Sequence, residues 1–93
     1  MAISQPRLIP SPSVVSADLD NTAVLLNVET GVYFGLDAIG TRIWALLGDG
    51  APPERIVDAL LDEYEVERSR LSDDVDAFIA ALVAKGLLRI EAE

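Results

Sequence analysis

The run Asn27-Val28-Glu29-Thr30-Gly31-Val32-Tyr33-Phe34-Gly35-Leu36-Asp37 passes without a break into Ala38-Ile39-Gly40-Thr41-Arg42-Ile43-Trp44, and it constrains the fold more than any other stretch. Glu29-Thr30-Gly31 suits a three-residue hairpin loop whose glycine takes the left-handed conformation. Residues 32–36 then return as a strand with Val32, Phe34 and Leu36 on one face. Asp37 is a good N-cap for a helix over about 38–47, where Ile39, Ile43, Leu46 and Leu47 recur at helical spacing before Gly48 stops it. Because this strand feeds directly into a helix, nothing later in the chain is obliged to pair with its outer edge. An unpaired edge is either a liability or a docking site.

Two further strands precede it. Residues 13–17 have β-branched character and end at Asp18-Leu19-Asp20-Asn21, whose side chains favour a turn. Residues 22–28 form the second strand, with Val24, Leu26 and Val28 expected on one face and Leu25 on the other. Downstream, Pro52-Pro53 opens a second helix striped by Ile56, Val57, Leu60, Leu61 and Tyr64. A third helix spans about 67–85, with Leu71, Val75, Phe78, Ile79, Leu82 and Val83 inward and Gly86 at the left-handed C-terminal position, so that Leu87 and Leu88 fold back on its last turn. The expected architecture is α+β: a three-stranded antiparallel meander followed by three helices, of the winged helix-turn-helix type. Pro6, Pro10 and Pro12 make 1–12 an extended, flexible proline-rich arm, leaving 13–93 as a single domain.

Composition narrows the chemistry. Among 93 residues there is no cysteine and no histidine, so disulfides, thiolate metal sites and the usual nucleophile–base pairs are missing, and no cofactor or metal is expected. Lys85 is the sole lysine, and no serine has a plausible base. Asp73, Asp74 and Asp76 are the densest acidic group, but acids in the first half of a helix gain from its dipole and read as a solvated face rather than a catalytic pair. Gly48-Asp49-Gly50 carries an acid where a phosphate loop needs a lysine, and is read as a linker. Sixteen acids against seven bases give a net charge of −9, which repels phosphate backbones and anionic lipid and favours basic partners. No nucleic acid, no membrane and a cytoplasmic location are expected.

The open edge therefore points to peptide capture, with backbone pairing for affinity and pockets for alternate side chains. If the third helix lies alongside the third strand, Asp74, Ala77, Phe78 and Ala81 form the opposing wall, with the alanines allowing close approach and Phe78 as part of the floor. The same alanines would serve equally well to pack helix on helix. Tyr33 and Phe34 stand equally for core or site, and Trp44 is expected in the core.

The segment from Leu25 to Asp37, then Gly40-Thr41-Arg42-Ile43-Trp44, Ile56-Val57, Leu60-Leu61, Tyr64-Glu65-Val66, Asp74-Val75 with Phe78, and Gly86-Leu87-Leu88 resemble the PqqD-like proteins, which are precursor-peptide recognition elements. The resemblance implies a winged-helix-like, non-catalytic adaptor on whose third strand a leader peptide adds as a further strand, resting against the third helix. Carried onto this chain it marks Val32, Tyr33, Phe34, Gly35 and Leu36 for pairing and pockets, and Asp74, Ala77, Phe78 and Ala81 for the wall. An acidic wall suits a lysine-bearing leader. A stand-alone chain of this length most resembles the leader-binding proteins of lasso-peptide biosynthesis, which implies a leader peptidase and an ATP-dependent cyclase as partners. A peptide chaperone for a radical enzyme in pyrroloquinoline-quinone biosynthesis, and a winged-helix regulatory protein, stay open as alternatives.

Overall fold

The computed structural model describes residues 7–20 and 22–91. Its centre is an antiparallel meander of β2 (Val14–Leu19), β3 (Thr22–Asn27) and β4 (Tyr33–Leu36), after β1 (Arg7–Pro10) and before α1 (Ala38–Gly48), α2 (Pro53–Glu63), α3 (Arg68–Ala84) and β5 (Leu88–Glu91). The α+β order of three meander strands followed by three helices is the one expected. Asp37 caps α1 by accepting from the Gly40 N–H at 2.7 Å. Pro53 occupies the first turn of α2, where its missing donor costs nothing.

Helix α3 ends in a Schellman turn. The Gly86 N–H reaches the Val83 carbonyl and the Leu87 N–H the Leu82 carbonyl, with Gly86 at φ +74°. Leu82 and Leu87 are both fully buried, supplying the apolar contact that accompanies this motif. Leu25 and Leu36 from the sheet meet Ile43, Leu47, Ile56, Leu60, Val75 and Leu88 in one core. Between helices, Arg42 forks onto Glu63 at 3.0 and 3.1 Å, which raises the Arg42 pKa and lowers that of Glu63 through the hydrogen bond itself. Arg68 pairs with Asp58 across the α2–α3 junction.

Three expectations are corrected. Strand β3 ends at Asn27, so Val28, expected on the face of Val24 and Leu26, lies 60% exposed in the turn; the expected division of Val24 and Leu26 from Leu25 is observed, and the inward face is that of Ala23, Leu25 and Asn27. A strand's two faces exchange with a one-residue slip, and the deciding residue is a polar one. Asn27, 4% exposed, donates its side-chain amide to the Gly86 carbonyl at 2.9 Å and accepts from the Glu29 and Thr30 N–H groups. Helix α1 likewise turns Gly40, not Ile39, inward: Ile39 is 39% exposed. Third, part of the segment read as a free arm is paired. Arg7–Pro10 lies antiparallel to Leu88–Glu91, Leu8 packs on the core, and the Ser11 N–H continues the ladder to the Leu87 carbonyl. The rest of the expected arm before Arg7 lies outside the described residues.

Replacing Asn27 by Ala leaves the Gly86 carbonyl and two turn amides without their partner, a loss of about 1–3 kcal/mol. Urea denaturation should show a lower midpoint at unchanged slope, whereas an unchanged midpoint would mean that water replaces the amide at no cost.

Candidate functional site

Strand order β2-β3-β4 leaves β4 at the margin of its sheet, with no strand on its outer side among the described residues. Its backbone phase follows from the turn. The Asn27 N–H donates to the Val32 carbonyl at 2.8 Å, whereas the Val28 N–H donates the other way, to Ser13 at 2.9 Å. Antiparallel pairing alternates, so with Leu25 opposite Phe34 and Ala23 opposite Leu36, the Phe34 and Leu36 groups are spent on β3. Tyr33 and Gly35 therefore direct their N–H and C=O groups outward, roughly 7 Å apart.

Side chains divide on the same alternation. Leu36 is 4% exposed and belongs to the core, Val32 and Phe34 are half-buried, and Tyr33 stands out at 72% exposed. Gly35 has an ordinary backbone conformation and a Cβ there would meet nothing within 4 Å, so no contact inside the chain requires glycine.

Phe78 of α3 reaches toward this strand, its ring 6.2 Å from that of Phe34 and tilted by 42°. Gly40 makes room for it, since a Cβ at that position would lie 3.3 Å from the Phe78 ring. Helical spacing sets Asp74, Ala77, Ala81 and Lys85 on the stripe of α3 that carries Phe78. Asp74 and Ala77 are exposed and Ala81 is half-buried. The Lys85 ammonium sits 5.7 Å from the Phe34 ring centroid, a cation–π contact that closes one end of the stripe. The stripe thus runs from an acid through small and aromatic residues to a base.

Phe34 and Phe78 are the expected residues that the structure brings into direct ring contact. Sequence reasoning missed Lys85, Gly40 and Asn27 as parts of this region. The Lys85 signal was present, four positions beyond Ala81 on the same stripe; the pairing of Asn27 with Gly86 spans 59 positions and has no local trace. Two surface concavities of about 420 and 390 Å³ lie elsewhere, around β1 and the loop before α2, and hold none of these residues. Among the described residues no cluster of His, Cys, Asp and Glu is placed to hold a metal ion, and no helix is long and apolar enough to cross a membrane.

Fold and site together define a small winged-helix-type domain with an open strand margin beside its third helix. The chain belongs to the PqqD family: the model of coenzyme PQQ synthesis protein D matches residues 22–88. It is similar to the solved structure of TbiB1 in complex with the TbiA(beta) leader peptide, at 51% identity and a TM-score of 0.83, over 86% of this chain and 93% of that one. It is also similar to a lasso peptide synthetase B1 complexed with the leader peptide, at 31% identity and a TM-score of 0.78, over 95% of this chain and 99% of the other. No curated protein matches it.

Native-state hydrogen exchange should read the backbone phase directly. In the free protein the Tyr33 and Gly35 amides should exchange much faster than those of Phe34 and Leu36. Equal protection at all four positions would show that the outer margin is already occupied.

Proposed function

We propose that this protein is a non-catalytic adaptor that binds the leader segment of a ribosomally made precursor peptide and hands it to a processing enzyme. The observation that carries the reading is the unpaired β4 margin with its outward Tyr33 and Gly35 groups, set beside the Asp74-to-Ala81 stripe of α3. A leader lying there in extended form would continue the ladder, and its inward side chains would meet Phe34, Phe78 and Ala81. Affinity then comes from main-chain bonds and selectivity from the pockets. The TbiB1 and lasso peptide synthetase B1 structures to which this chain is similar are complexes with leader peptides.

The absence of histidine and cysteine throughout the sequence supports a role without covalent chemistry of its own. An adaptor accelerates a partner by raising the local concentration of substrate and holding its orientation. The likeness to a lasso peptide synthetase B1 favours a leader peptidase as that partner, working beside a cyclase in the cytoplasm. The match to coenzyme PQQ synthesis protein D supports a second reading, in which the peptide is delivered to a radical enzyme.

Calorimetric titration with the leader of the neighbouring precursor should give saturable binding with Kd below ~100 μM, about 5.5 kcal/mol. Proline at a leader position that bonds to β4 should weaken binding roughly tenfold by deleting a ladder donor. Unchanged affinity would place the peptide on another surface. Asp74→Lys should weaken a lysine-bearing leader by about 0.2–1 kcal/mol while thermal stability holds, because the pair it removes is exposed; equal affinity would refute the acidic wall alone.

A further inference from the structure

We propose that Lys85 receives a carboxylate side chain of the leader, so that the site selects a leader with an acid at one end of its bound segment and a base at the other; the inference rests on the leader-binding reading above. Lys85 is the only lysine in a chain with sixteen acids. It is exposed at the C-cap of α3, where a cation gains from the helix dipole. That gain requires only a position near the last turn, and the ammonium is placed more narrowly than that. It lies 5.7 Å from the Phe34 ring centroid, at the end of the stripe that faces β4. Among the described residues no carboxylate pairs with it and no carbonyl accepts from it. An ammonium carries three donors and a ring face engages it from one side, so donors are left over for a ligand.

Two tethers set which end of β4 this is. The Asn27 side chain bonds the Gly86 carbonyl and so ties the β3–β4 turn to the end of α3, whereas Gly40, just past the end of β4, abuts the Phe78 ring further back along the helix. Strand and helix therefore run antiparallel, with Lys85 beside the start of β4 at Tyr33 and Asp74 toward its close at Leu36. A leader strand on the margin covers Phe34 and removes water from around the ammonium, which strengthens an ion pair formed there. The net charge of −9 by itself draws a uniformly basic leader. Lys85 disfavours a base at its own end, so the site reads the position of charge along the leader as well as its sign. Spacing follows from the two periodicities. From Asp74 to Lys85 the helix rises about 16 Å, which an extended strand covers in about five residues. Only alternate leader side chains face the helix, so the leader's acid and base stand roughly four or six positions apart.

The probe is the fluorescently labelled leader of the neighbouring precursor, together with variants in which each Asp becomes Asn and each Glu becomes Gln in turn. Each is titrated by anisotropy into wild type, Lys85→Gln and Lys85→Glu. Against wild type, one neutralised leader should bind about three- to fivefold more weakly, the upper part of the range for an exposed ion pair. That same leader should bind Lys85→Gln as well as it binds wild type, which also reports an intact site. Changing its critical acid to Lys should restore binding to Lys85→Glu to within about twofold of the native pair. The advantage of the native over the neutralised leader should shrink as salt rises from about 0.05 to 0.5 M. A lysine that only shields Phe34 weakens every leader alike, whatever its acids and whatever the salt, and that pattern overturns the proposal. So does a leader that saturates wild type with no carboxylate in its bound segment. Failure of the wild-type chain to take up the native leader is seen before any variant is made, and it removes the leader-binding reading itself.

Discussion

One buried amide holds the two halves of this domain in register. Asn27 ends β3, and its side chain simultaneously accepts from two amides of the β3–β4 turn and donates to the carbonyl of Gly86 just past α3. Hairpin and helix are otherwise joined mainly by apolar packing, which is non-directional and tolerates sliding. A hydrogen bond to a buried polar group has a fixed geometry and is costly to break. Asn27 therefore sets where the start of β4 lies relative to the end of α3. That brings Phe34 beside Phe78 and Lys85 over the Phe34 ring. Gly86 takes part twice, as the left-handed residue that terminates the helix and as the carbonyl that receives Asn27.

With that placement made, β4 has two separate duties. Alternate backbone groups, those of Phe34 and Leu36, bind it to β3 and the matching side chains enter the core or its border. The intervening groups, at Tyr33 and Gly35, contribute nothing to the fold's own ladder. A strand can thus be fully specified on one side and remain open on the other, because pairing needs only every second residue. Covering such a margin would be the usual protection against aggregation. Here the margin is short, and the acidic surface supplies mutual repulsion between copies in its place.

The two-stranded β1–β5 ladder has a different role. It ties the segment before the meander to the segment after α3, burying Leu88 and seating Leu8 on the core. Both strands are far from the β4 margin in connectivity, and they leave it uncovered. Arg42 and Glu63 do comparable work at the surface between α1 and α2, each holding the other charged. Glu63 has its pKa lowered, so what this pair contributes is present above the ordinary carboxylate range and fades as pH falls through the depressed value; exposure keeps that contribution small.

Much of this was legible in the chain before any coordinates. The glycine turn at Gly31, the Asp37 cap, the proline start of α2, the Gly86 stop and the apolar stripes of α2 and α3 are local signals, each decided by the residues within a few positions. So was the open margin, because strand leads into helix with no chain to spare. The family signature lies in those same local elements. What the sequence could not decide was every matter settled by partners distant along the chain: which face of β3 turns inward, the pairing of Arg7–Pro10 with Leu88–Glu91, and the approach of Lys85 to Phe34. Apolar residues stand on both faces of β3, and the buried Asn27 bond to Gly86 fixes which of the two turns inward. Local propensity is read from neighbours, whereas burial and register depend on the whole packed arrangement, and only the folded chain brings those distant groups within bonding distance.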